Sequence, residues 1–75
     1  MSRLQATIVL DNVDVREIED LLESSGFDDY FSYFNYFSSG SDAVIEVYSE
    51  SEDAGDQTAD FLEDNGYYIV EYILE

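Results

Sequence analysis

Cysteine, histidine and lysine do not occur in this chain of 75 residues, and its two basic residues are Arg3 and Arg16. Without cysteine no disulfide can brace the fold, and nothing points to an oxidising compartment. A zinc site built on Cys or His is excluded. The same absences exclude a Ser–His or Cys–His nucleophilic pair and a Schiff-base lysine. Long apolar runs are missing too, since no stretch approaches the ~20 residues that cross a bilayer. The apolar run near Met1 is too short and too interrupted for a secretory signal, so a cytoplasmic location is expected.

What is present is acid. Nineteen Asp and Glu against two Arg give a net charge of −17. Such a chain repels phosphate and anionic lipid, so it is expected to bind neither nucleic acid directly nor membrane. Strong acidity often accompanies disorder. Here, however, 45% of the residues are hydrophobic, with seven Tyr and five Phe, which is ample material for a folded core. A single domain over residues 1–75 is expected, near the lower size limit for folding without covalent or metal braces.

Leu4 to Leu10 alternates large apolar with smaller or polar residues and reads as a half-buried strand, with Leu4, Ala6, Ile8 and Leu10 toward the core and Gln5, Thr7 and Val9 outward. Asp14 then offers an N-cap oxygen, with Glu17 placed to close a capping box. Val15, Ile18, Leu21 and Leu22 form the apolar stripe of a helix over about 14–25, which Gly26 ends in the left-handed conformation. The plan repeats. Ala43–Tyr48 reads as a strand, with Val44, Glu46 and Tyr48 outward. Ser51 or Asp53 caps a second helix carrying Ala54, Thr58, Phe61 and Leu62 on one face. Gly66 stops it, and Tyr67–Leu74 forms a last strand, with Ile69, Glu71 and Ile73 outward and Tyr68, Val70, Tyr72 and Leu74 on the other side.

The two helix ends align at an offset of 40 residues, Asp20-Leu21-Leu22-Glu23 with Gly26 against Asp60-Phe61-Leu62-Glu63 with Gly66. This weak repeat suggests two βαβ halves. The fold class is α+β, an antiparallel sheet with helices on one face, whose order resembles ferredoxin-like βαββαβ. The ambiguous piece is Phe27–Phe37. Its aromatic residues favour a strand closing a hairpin through Ser38–Ser41. Its i, i+3, i+4, i+7 spacing also permits a helix, which would leave a three-stranded sheet with three helices.

Among 19 carboxylates no pair stands out as acid and base, and so short a chain leaves little room for a pocket. Ser51–Asp56 does not match the EF-hand ligand pattern. No catalytic residue, metal ligand or cofactor is assigned. The carboxylates of the helices are another matter. Asp53, Asp56, Asp60, Glu63 and Asp64 recur at three and four residues and line one stripe of the second helix, and Glu19, Asp20 and Glu23 add to it from the first. Like charges one turn apart each cost ~0.2–0.5 kcal/mol. A fold needing only solubility would interleave Lys or Arg, and none follows Arg16. Carboxylates ~5–6 Å apart along a helix approach the spacing of phosphates along a nucleic-acid strand. A domain of this length is ~30 Å across, and 17 charges correspond to ~29 Å of duplex at one charge per ~1.7 Å.

In its size, its lack of lysine, its acidic helices Arg16–Glu23 and Asp53–Asp64 and its aromatic segment Tyr30–Phe37, the chain resembles the small acidic inhibitors encoded by bacteriophages and mobile elements, including anti-CRISPR proteins of the DNA-mimic kind. The resemblance implies a non-enzymatic inhibitor in a bacterial host's cytoplasm. Its partner would be a basic nucleic-acid-binding protein or complex, such as a Cas effector, blocked at its positively charged groove. Two other readings stand beside it. One is a salt-adapted domain from a halophile, whose acidity is solvent adaptation. The other is a regulatory module, monomer or homodimer, associating through an open sheet face that mixes Tyr, aliphatics and carboxylates. RNA-binding modules of similar topology stack bases on that face, but their basic residues are missing here.

Overall fold

Each apolar stripe finds the layer it needs. The structure, a computed structural model, describes residues 3–26 and 32–75. Along the chain run β1 (Arg3–Leu10), α1 (Val15–Ser24), β2 (Ser32–Ser39), β3 (Asp42–Ser49), α2 (Ala54–Asp64) and β4 (Ile69–Leu74). The strands form one antiparallel sheet in the order β2-β3-β1-β4. This is an α+β fold consistent with ferredoxin-like βαββαβ. The aromatic segment is strand from Ser32 onward, so the three-stranded, three-helix alternative is overturned over those residues. Its first part, residues 27–31, lies outside the described residues. β2 pairs with β3 from Ser32 to Ser39 without a break, and the strand's alternation buries Phe34 on the core side while Tyr33 and Phe37 stand exposed on the other.

The core lies between one sheet face and both helices. Ala6, Ile8 and Leu10 of β1 and Ala43, Ile45 and Val47 of β3 meet Ile18 and Leu22 of α1 and Ala54, Ala59 and Leu62 of α2. Val15, Leu21 and Phe61 pack at its margin. Gly26 and Gly66 follow the helices with φ of 75° and 91°, the left-handed stops expected of them.

Two irregularities change which side chains face which way. Between Leu4 and Ala6 the register of β1 against β3 shifts by one residue. A bulge inserts a residue and re-aims its neighbours. Leu4 therefore stands opposite Tyr48 on the open face, and Gln5 turns inward and is buried. Both differ from the simple alternation expected for this strand. A second shift, between Val9 and Leu10 against β4, places Ile69 opposite Leu10 on the core side and Glu71 opposite Val9 outside. Ile69 thus packs against the core instead of joining the open face. Tyr72 faces inward as expected, whereas Tyr68, Val70 and Leu74 are exposed.

The buried Gln5 has a defined task. Asp53 occupies the N-cap position of α2, but its side chain makes no capping hydrogen bond. Gln5 Oε1 instead accepts from Gly55 N at 2.6 Å, and Gln5 Nε2 donates to the Ser51 carbonyl. A strand residue 50 positions away caps the helix.

Gly55 lets the two elements meet. A Cβ at this position would lie 2.7 Å from Tyr72 Oη and 2.8 Å from Ala6 Cβ. Ala6 is held by its strand and cannot retreat. Alanine is the better helix former by up to ~1 kcal/mol, yet Gly55→Ala is expected to destabilise the protein by about 1–2 kcal/mol, because overpacking costs ~1–3 kcal/mol. A thermal melt checks the sign. Stabilisation would mean that α2 can shift away from β1 at no cost.

Candidate functional site

The sequence directs acid to one layer and aromatic residues to the other. In a helix successive side chains turn by ~100°. In α2 the buried stripe Ala54, Thr58 and Leu62 places Asp60 and Asp64 on the opposite, solvent side. Asp56 and Glu63 stand on one flank of that side. In α1 the buried Ile18 and Leu22 place Asp20 outward, with Glu19 and Glu23 on the flank opposite Glu17. Counting the caps, Asp14, Glu17, Glu19, Asp20, Glu23, Asp53, Asp56, Asp60, Glu63 and Asp64 make ten carboxylates on the helix layer.

Three of the expected site residues converge. Asp56, Asp60 and Glu63 line an open cleft of about 420 Å³ between α2 and β4, closed at its base by Ala59, Ile69 and Tyr72. Tyr72 Oη donates to Asp56 Oδ1 at 2.7 Å and fixes that carboxylate. Asp64 lies on the same helix beyond the cleft. Asp53 is drawn elsewhere, into a hollow of about 370 Å³ lined by Arg3, Gln5, Glu52, Leu74 and Glu75. Asp20 and Glu23 are exposed on α1, and Glu19 is half-buried. Among the described residues, no group of three or more His, Cys, Asp or Glu side chains is arranged to hold a metal ion, and no helix is long and apolar enough to cross a membrane.

A second carboxylate–tyrosine bond ties the layer together. Glu17 does not close a capping box; it accepts from Tyr67 Oη at 2.5 Å, joining α1 to the segment after α2. Asp14 alone caps α1, its Oδ1 accepting from Arg16 N at 3.0 Å. Neither tyrosine bond has a local signature, since the partners are 50 and 16 residues apart.

Both hydroxyls hold their protons tightly. For Tyr67 the bond to Glu17, then burial, then the Glu17 charge push the pKa up to about 12. For Tyr72 burial comes first, then the bond to Asp56 and the charges of Asp56 and Asp60, again reaching about 12. In the unfolded chain each titrates near 10.0. The folded state therefore binds these protons more strongly, so their contribution to stability is whole below pH 10 and is lost as pH rises through 12. An ultraviolet titration should show two tyrosines ionising together near pH 12. Tyr67→Phe and Tyr72→Phe should each remove one of them.

The other side of the sheet is different in kind. Leu4, Thr7, Val9, Tyr33, Phe37, Val44, Tyr48 and Ile73 face outward, and with them the carboxylates Glu46 and Glu71 and, at the start of β3, Asp42. Tyr33 and Tyr48 pack with centroids 5.7 Å apart. Glu46 accepts from Tyr48 Oη and from Asn35 Nδ2, both at 3.4 Å, while Tyr33 Oη donates to Asn35 Oδ1 at 3.0 Å. Its charge is thus engaged within the face.

No family model matches the chain, and no curated protein or solved structure matches it. Function has to be read from the layout of charge.

That layout is two-sided. Ten carboxylates stand on the helix layer, caps included, and three, Asp42, Glu46 and Glu71, on the outer sheet face. The long axis of 31 Å for a charge of −17 gives about the charge per length of duplex nucleic acid, one per ~1.7 Å.

Proposed function

We propose that the protein is a non-enzymatic inhibitor that stands in for nucleic acid, occupying the positively charged groove of a nucleic-acid-binding protein or complex. The observation that carries this reading is the concentration of carboxylates on the helix layer, with Asp56, Asp60 and Glu63 gathered along one cleft of it. Two helices on a sheet fix where these carboxylates leave the backbone, and Tyr72 also holds that of Asp56, so part of the ordering cost of association is already met. Lys and Arg that grip phosphates are matched by carboxylates spaced one helical turn apart. The resemblance to phage-encoded acidic inhibitors points to a host defence complex as the partner, of which a CRISPR–Cas effector is one kind. The cytoplasm of the bacterial host is the corresponding place of action.

The test is capture from a bacterial lysate containing CRISPR or restriction complexes, followed by competition against the captured complex's own nucleic acid. Asp56→Asn, Asp60→Asn and Glu63→Gln combined should lower the affinity by about 100-fold, ~1 kcal/mol or more for each neutralised carboxylate. The asparagine that replaces Asp56 keeps an oxygen for Tyr72, so the melting curve should not fall. A captured complex that binds the triple variant as well as the native chain removes this reading.

A further inference from the structure

We propose that β2 is a self-association edge, on which a second copy of the chain docks antiparallel with Asn35 of both copies on the two-fold axis. It does not rest on the inhibitor reading, since the outer side of the helix layer stays free.

The first observation is an edge that, among the described residues, has no guard. β2 is terminal in the sheet, and its eight residues, Ser-Tyr-Phe-Asn-Tyr-Phe-Ser-Ser, carry no charge in a chain of net −17. Its register with β3 is unbroken from Ser32 to Ser39. Natural edge strands are usually protected by charge, proline, a bulge or short length. The opposite edge has such protection: β4 is six residues long, its pairing is interrupted between Val9 and Leu10, and it bears Glu71 with Glu75 just beyond. The contrast lies within one sheet.

The second observation says what fits there. About Asn35 the segment is symmetric in residue class, with Tyr and Phe exchanged: Tyr33 and Phe34 on one side, Tyr36 and Phe37 on the other, then Ser32 and Ser38. Antiparallel pairing with a second copy at that centre sets Tyr33 against Phe37 of the second copy and Phe34 against Tyr36 of the second copy. Faces agree as well. Tyr33, Asn35 and Phe37 oppose Tyr48, Glu46 and Val44 on the outer face, whereas Phe34 is buried on the core side and Tyr36 packs against it. Aromatic pairs on one face are a principal stabiliser of strand pairing. Two chains of net −17 repel one another at most approaches, and an uncharged strand is where that repulsion is locally weakest. An unrelated extended peptide would use the same backbone groups without this matched register.

The charge of α1 sets the dependence on salt. This helix packs over β2 and β3, and Glu19 and Glu23 stand on its flank away from Tyr67, toward the β2 edge, with Arg16 beside them. Pairing two β2 edges brings the two α1 helices toward one another. Association should therefore strengthen as salt is added, opposite in sign to the capture of a basic groove.

Asn35→Cys in the full chain tests the register, because no other thiol exists to confuse the product. Directly opposed residues of antiparallel strands have Cα atoms ~4.5–5.5 Å apart, within disulfide range. Under mild oxidation in ~0.5 M salt, where the Debye length is ~4 Å, Asn35→Cys should cross-link at least about tenfold faster than Asp64→Cys, an exposed control on α2. Tyr33→Cys alone should cross-link slowly, and Tyr33→Cys with Phe37→Cys fast. The native chain should sediment at twice its 8.6 kDa at high concentration in the same salt. Equal rates for the Asn35→Cys chain and the α2 control, or a native chain that stays at 8.6 kDa, overturns the proposal. So does a pull-down in which a foreign peptide, and not a second copy, occupies the edge.

Discussion

Gln5→Ala is expected to destabilise the protein by about 2–3 kcal/mol and to lower its melting temperature by about 10–20 °C. The domain has little to spare: at ~0.05–0.15 kcal/mol per residue, a chain of this length has a total stability of roughly 4–11 kcal/mol. Gln5 is 7% exposed, and the Gly55 amide it serves is buried. Removing the side chain leaves that N–H without an acceptor, at a cost of ~1–3 kcal/mol. It also strips the Ser51 carbonyl of its donor and opens a gap beside Ala6. Gln5→Glu separates these effects. A carboxylate can still accept from Gly55 N, but it cannot donate to Ser51, and it adds negative charge near Glu52 and Asp53. Protonation restores a donor. The variant should therefore be weaker than the native chain at neutral pH and recover relative to it as the introduced, buried carboxylate is protonated in acid. Urea melts at several pH values, with unchanged slope, would show this. Equal stability of the native and alanine chains would mean that Asp53 or water caps α2 in solution.

Gln5 also marks where the sequence stops being legible. The order of elements, the helix stripes and both left-handed glycine stops follow from patterns within a dozen residues, which is the range over which periodicity and capping act. The bulge at Gln5 does not. An alternating run reads the same with or without one extra residue, and only pairing with β3 reveals which of Leu4 and Gln5 is turned in. The interruption opposite Val9 and Leu10 hides Ile69 in the same manner. Glu17 shows a different gap: the capping-box spacing is present, but a tyrosine 50 residues away competes for the carboxylate.

The candidate site divides along the same line. Asp56, Asp60 and Glu63 are neighbours by helical spacing alone, so their convergence is readable from the chain. Asp53, one turn earlier, leaves the group because the N-cap turn places it in another hollow, beside Arg3. The inward facing of Tyr72 is readable from the alternation of its strand, but its bond to Asp56, 16 residues away, is not.

The affinity for a basic partner is expected to fall steeply with salt. A duplex that contacts a protein at Z phosphates loses affinity with a log–log slope of about −0.9Z, because condensed counterions are released on binding. A mimic must reproduce that term to displace a nucleic acid. With ten carboxylates on its helix layer and about half of them engaged at once, a slope of about −3 to −5 follows. Between 50 and 500 mM salt this is a loss of about 10³-fold or more. Neutralising Asp56, Asp60 and Glu63 removes three contacts and should make the slope shallower by roughly 2–3. Folding stability moves the other way. Screening relieves self-repulsion in a chain of −17, so the melting temperature should rise with salt. The two trends separate the readings. A chain folded at low ionic strength, whose capture weakens steeply with salt, is held by its own core and uses its charge on a partner. A chain that unfolds without molar salt uses its acidity to suit its solvent, and a partner affinity that stays flat across the range would then leave the helix layer without a nucleic-acid-like role.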